Sequence, residues 1–126
     1  MITGRVTARR EAIVQLQLRA ADGSPDTVEA IIDTGFTGFL ALPADWIGAL
    51  GLPLAGLQRT FLADGSETVL IAYEATVHWH GEEVVVKTLE VERSALVGMS
   101  LLDGSLVTME ITKGGSVRIE PMGETT

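Results

Sequence analysis

"AIIDTGFTGFLALP", residues Ala30–Pro43, decides how the rest of the chain is read. Asp33 stands between two apolar runs, where an ionised carboxylate seldom sits without a partner or a task. Upstream, Ala12, Val14, Leu16 and Leu18 alternate with Gln15, Gln17 and Arg19, so Glu11–Ala20 reads as a half-buried strand. Asp22-Gly23-Ser24-Pro25 is strong turn chemistry. A second strand then runs from Thr27 to Asp33, with Val28, Ala30 and Ile32 on one face. It becomes apolar on both faces near Asp33, which predicts deep burial of its end.

Downstream, Phe39–Leu42 reads as a short strand. Pro43 then opens a helix over Ala44–Leu50, with Gly51 as its stop. Leu52–Gly56 reads as a loop. Arg59–Leu62 and Glu67–Tyr73 flank Ala63-Asp64-Gly65-Ser66, a hairpin with glycine at its tip. Ala75–Trp79 and Val84–Glu92 form a second hairpin around His80–Glu83. Met99–Leu102 suits one helical turn, and Leu106–Ile111 with Val117–Glu120 form a third hairpin around Lys113-Gly114-Gly115. A loose tail is expected over 121–126. Short strands at close spacing with one or two helical turns make this an all-β barrel or sandwich.

The chain has 126 residues, which suits a single domain, and 46% of them are apolar, enough for a core. The formal charge is -8, which disfavours nucleic acid and anionic membrane surfaces as partners. There is no cysteine, so disulfides, thiol catalysis and cysteine-ligated zinc are excluded. The first residues lack the apolar stretch of a signal peptide, and a cytoplasmic location is the expectation.

Asp33-Thr34-Gly35 after an apolar strand, with Thr37 two residues beyond the glycine, resembles the active-site motif of aspartic proteases. The short chain and single motif are similar to the retropepsin-like branch, in which two chains build one site. Three further features follow in the family's order: the glycine-tipped hairpin where the flap lies, Leu96-Val97-Gly98, and the helical turn at Met99. The likeness spans roughly residues 12–111, with the 106–120 hairpin closing the domain.

The resemblance implies a small closed barrel of the acid-protease type with a flap. It implies a homodimer acting on a peptide or protein substrate without metal or other cofactor. Asp33 is the implied catalytic residue, supported by Thr34, Gly35 and Thr37, with the Thr37 hydroxyl donating to the outer oxygen of Asp33. Ala63, Asp64, Gly65 and Ser66 are the implied flap over substrate. Phe36, Leu96, Val97 and Gly98 form the floor of the site. Position 36 is Phe where the family usually has Ala, which crowds that floor. Retropepsin-like dimers are commonly held by terminal strands, and here a hairpin follows Ile111.

Other candidates are weaker. Asp-Thr-Gly is also ordinary turn chemistry, and it is the ordered set that carries the likeness. His78 and His80, two apart on an expected strand, share a face with Trp79 turned inward, but lack a third ligand for a metal. Gly98-Met99-Ser100 lacks the glycine that a serine nucleophile elbow needs after the serine. Two functions therefore stand: an aspartic endopeptidase with an Asp33/Asp33 dyad, and a non-catalytic module of the same fold that binds peptide or protein.

Overall fold

The computed structural model describes residues 1–123 and contains ten strands and two short helices. The strands are β1 (Ile2–Val6), β2 (Ala12–Arg19), β3 (Pro25–Ile32), β4 (Leu40–Pro43) and β5 (Leu54–Phe61). They continue with β6 (Glu67–Trp79), β7 (Glu82–Val91), β8 (Leu96–Val97), β9 (Ser105–Met109) and β10 (Ser116–Pro121). The helices are α1 (Ala44–Leu50) and α2 (Met99–Leu102).

The alternation in β2 places Ala12, Val14, Leu16 and Leu18 in the core, as the period of two predicts. Val28, Ala30 and Ile32 of β3 join them. Hydrogen bonds order the sheet β5-β6-β7-β4-β8-β3-β2-β1-β10-β9. A further pairing of Gln17–Arg19 with Thr76–His78 leads from β2 back to β6. The six strands β6, β7, β4, β8, β3 and β2 thus form a ring, closed only through this short seam. The architecture is all-β.

Two pairings position the segment after Asp33. β8 runs parallel to β3, with Ile31 opposite Leu96 and Ile32 opposite Val97. It also runs antiparallel to β4, with Leu40 opposite Val97. This two-residue strand therefore lies between the strand that enters the Asp33 loop and the strand that leaves it.

The helix α1 follows Pro43 and ends at Gly51, whose φ of 65° suits a left-handed stop. Ile47 and Leu50 are its buried residues.

Several elements depart from the sequence reading. β1 went unrecognised because Gly4 leaves the middle of its inward face without a side chain, so only Ile2 and Val6 mark the alternation. Gly4 has a packing reason: a Cβ there would lie 1.8 Å from the Ile13 carbonyl oxygen, so only glycine lets β1 approach β2. The expected loop at Leu52–Gly56 shortens to Leu52 and Pro53, and β5 starts at Leu54 with a bulge between Leu54 and Gly56. The expected break at Glu74 is absent. β6 runs unbroken for 13 residues because its first half pairs with β5 and all from Ala72 onward pairs with β7. The second hairpin loop shortens to His80-Gly81, with φ of 50° and 82° in a two-residue turn. Ile111 falls outside β9. In the expected tail, Pro121 completes β10 and the Met122 N–H donates to the Gly104 carbonyl at 2.9 Å. The tail positions 124–126 lie outside the described residues.

The tetrapeptide Ala-Asp-Gly-Ser occurs twice, at Ala21–Ser24 and Ala63–Ser66, and folds the same way both times. In the first, Ala20 N–H donates to Ser24 O and Gly23 N–H to Ala20 O, both at 2.9 Å. In the second, Leu62 N–H donates to Ser66 O at 2.8 Å and Gly65 N–H to Leu62 O at 2.9 Å. In each, the aspartate Oδ1 accepts from the serine N–H and hydroxyl. The serine hydroxyl, then the serine N–H, hold both carboxyls below their ordinary range.

Candidate active site

Asp33 follows the last residue of β3 and is half-buried, while Thr34 and Gly35 are exposed. Its N–H donates to Val97 O at 2.9 Å, which fixes the end of β3 to β8. Its Oδ1 accepts from the Gly35 N–H at 2.9 Å. A Cβ on Gly35 would lie 3.2 Å from that oxygen, so glycine keeps the approach open. The loop turns as the Phe36 N–H donates to Asp33 O at 3.1 Å.

The remainder of the loop is held by the segment after β8. Gly98 N–H donates to Phe39 O at 3.0 Å, Met99 N–H to Phe36 O at 2.8 Å and Ser100 N–H to Gly38 O at 3.1 Å. The Ser100 hydroxyl also donates to Thr37 O. The Phe36 ring lies over Gly38 and Gly98, where added Cβ atoms would come within 2.6 Å of it. Phe36, Val97 and Gly98 thus form a floor beneath the loop, and Leu96 is paired with Ile31 beside it. Thr37 is exposed, and among the described residues no hydrogen bond joins its hydroxyl to Asp33.

A groove of about 530 Å³ separates this loop from the hairpin made by β5 and β6. Gly35–Phe39 and Ser100 line one side, and Gln58–Phe61 of β5 line the other, with Lys87 and Leu89 of β7 between them. The wall is formed by an arm of the hairpin, and the tip residues Ala63, Asp64, Gly65 and Ser66 do not reach it. The hairpin carries exposed apolar side chains: Leu57, Phe61, Leu62, Val69 and Ile71. Asp33 itself is not among the lining residues; sequence reasoning missed Gln58, Lys87 and Leu89, because only the cross-strand register brings them to this groove.

A second cleft, of about 670 Å³, lies on the face that carries Thr34. It is mostly apolar, lined by Ile32, Met99, Val107, Met109, Ile111 and Met122 among others. β9 bounds it and is the last strand of the sheet, and its outer edge is unpaired among the described residues.

The histidines do not form a pair. β6 ends at Trp79, so His80 sits in the turn while His78 remains on an exposed strand position. His80 Nε2 lies 2.7 Å from Ser105 Oγ, and its Nδ1 is buried without a partner among the described residues. Burial, with a smaller effect from the N-terminal ammonium, pushes its pKa down. Among the described residues no three His, Asp or Glu side chains gather as a metal set.

No family sequence pattern matches the chain, and no curated protein matches it in sequence. Among solved structures, a retropepsin-like aspartic protease from Rickettsia conorii superposes with a TM-score of 0.54, covering 96% of this chain and 90% of that one at 17% identity. The fold is retropepsin-like. The simian foamy virus (mac) protease matches with a TM-score of 0.47 at 18% identity, over 70% of this chain and 90% of its own. Within this fold, the loop after Asp33, Ser100 and the β5 arm of the hairpin adjoin one groove.

Proposed function

We propose that the protein is an aspartic endopeptidase whose site forms when two copies bring their Asp33 carboxylates together. The observation that carries this reading is the half-buried Asp33 carboxylate, held by the N–H of Gly35, a residue that itself lines the groove walled by the flap arm. Two carboxyls at hydrogen-bond distance share one proton, since both cannot ionise easily. The ionised member takes a proton from water as the water oxygen bonds to the peptide carbonyl carbon. The protonated member gives its proton to the carbonyl oxygen. Collapse of the resulting diol, with proton transfer to the amide nitrogen, breaks the C–N bond. The protonation steps belong to the pair. The extended substrate lies in the groove, and the flap excludes water.

The second copy docks on the face that carries Thr34. Met99, Ile111 and Met122 there are 46%, 64% and 61% exposed. β5 and β9 are the two end strands of the sheet among the described residues, and the edge of β9 is the one that borders this face. The -8 charge on each copy opposes association, so the dimer strengthens as salt rises.

A mixed peptide library, incubated from acid to neutral pH, tests the reaction. Cleavage by the unmodified protein should vanish with Asp33→Asn, and an identical cleavage pattern from that variant refutes the mechanism. Activity should fall at high pH, where both carboxyls ionise; a rate that keeps rising into the alkaline range speaks against the shared proton. Sedimentation completes the test: cleavage by a species that stays monomeric rules out the dyad.

A further inference from the structure

The chain has 17 acidic and nine basic residues, yet its groove has the opposite sign. Arg59 and Lys87 line it, and no Asp or Glu does. Arg59 is already engaged, with Nε 3.3 Å from Glu67 Oε1. Lys87 has no carboxylate within ion-pair distance among the described residues, and its cross-strand neighbour Glu74 makes no ion pair with it. The Lys87 Nζ donates to Gln58 Oε1 at 2.9 Å. An ammonium carries three donors, so two remain for a ligand. Leu89, two residues along the same strand face, and the rings of Phe36, Phe39 and Phe61 make the adjoining surface apolar.

We propose that Lys87 determines specificity: the groove selects extended peptides with a carboxylate side chain at one fixed position, next to an apolar residue. The carboxylate accepts from Lys87 Nζ, and the apolar neighbour packs on Phe36 and Phe61. This rests on the groove being the peptide site, as in the proposed function. Lys87 is exposed in the free chain, so its bond to a carboxylate is expected to contribute about fivefold in affinity, which is about 1 kcal/mol, the upper end of the surface range. Lysine contributes a point charge on a flexible stem, so glutamate and aspartate are both accepted.

The test is a binding assay on the Asp33→Asn protein, which keeps peptides intact. Fluorescent peptides carry Glu, Gln or Lys at each position in turn along an apolar frame. At one position Glu should bind about fivefold tighter than Gln, and Gln tighter than Lys. Lys87→Glu should invert that order, and Lys87→Gln should flatten it. Arg59→Gln should leave the order in place. Loss of the order with Arg59→Gln, its persistence in Lys87→Glu, or the lack of a charge-dependent position overturns the proposal. Cleavage is read separately with unmodified protein: selective binding without cleavage sinks the peptidase reading and leaves this one standing. Cleavage with no charge preference does the reverse, and failure of every peptide to bind refutes both.

Discussion

Gly98→Ala isolates the contact that holds the Asp33 loop to its floor. Gly98 has φ of -100° and ψ of 173°, a conformation open to any residue, so the substitution carries no backbone strain of its own. The cost is steric. The new methyl would lie 2.1 Å from Gly38 O and 2.6 Å from Phe36 Cδ2. Ordinary contact needs roughly 3.5 Å, so the two segments must part by about 1 Å. The nearer neighbour is backbone and cannot rotate aside. The bonds from Gly98 N–H to Phe39 O and from Ser100 N–H to Gly38 O are strained as the segments separate. Overpacking of this kind costs about 1–3 kcal/mol, and the upper half of that range is expected here. On the proposed peptidase reading, a misplacement of about 1 Å near Asp33 lowers turnover on the order of 100-fold. Urea unfolding followed through Trp46 and Trp79 fluorescence reads the first quantity, and peptide cleavage reads the second. Gly48→Ala is the control: nothing lies within 4 Å of its would-be Cβ in α1. That variant should gain about 0.5–1 kcal/mol. A Gly98→Ala protein with the parent's urea midpoint and turnover would refute the packing argument.

Other outcomes follow from the same coordinates. Asp33→Asn should unfold within about 0.5 kcal/mol of the parent, since the side chain is half exposed and an amide oxygen still accepts from Gly35; a large loss by urea titration would make Asp33 structural. Leu16→Ala, at a side chain only 1% exposed, should cost about 3–5 kcal/mol in the same titration. His80 has a folded pKa below its unfolded value, so it binds more protons unfolded. Its effect is absent above about pH 6.5 and destabilises as pH falls through that value toward the folded pKa. Stability measured against pH should therefore fall less steeply on acidification in His80→Asn than in the parent. Equal slopes for the two proteins would contradict the burial of Nδ1.

The parts of the fold written in local pattern were legible in the sequence. Alternation sufficed for β2 and β3, and Pro43 with Gly51 bracketed α1. The turns around Asp22 and Asp64 needed only their own four residues. β1, the onset of β5 and the continuity of β6 depend on partners far along the chain. A glycine that brings two strands together reads, in one dimension, as a break. The site divides the same way. Asp33, Gly35, Phe36 and Gly98 announced themselves through a contiguous motif and its ordered companions. Lys87 and Gln58 are 29 positions apart and meet only through the pairing of β5, β6 and β7. Of the histidine expectation, the exposed His78 and the inward Trp79 hold; His80 does not share the His78 face, since parity ends with β6 at Trp79 and the turn buries its Nδ1.

The duplicated Ala-Asp-Gly-Ser loop gives the molecule its own template for engineering. At the first copy, the Ala21 N–H is taken by Leu50 O at 2.7 Å and the Ala21 methyl rests against Gly51. At the second, no backbone carbonyl among the described residues receives the Ala63 N–H. Exchanging the two tetrapeptides is a silent edit, so any stiffness that separates the loops is owed to their surroundings. Freezing the projecting loop would mean supplying Ala63 with the kind of docking post that the end of α1 offers Ala21. Loosening it further would mean trimming the apolar arms and leaving the turn untouched.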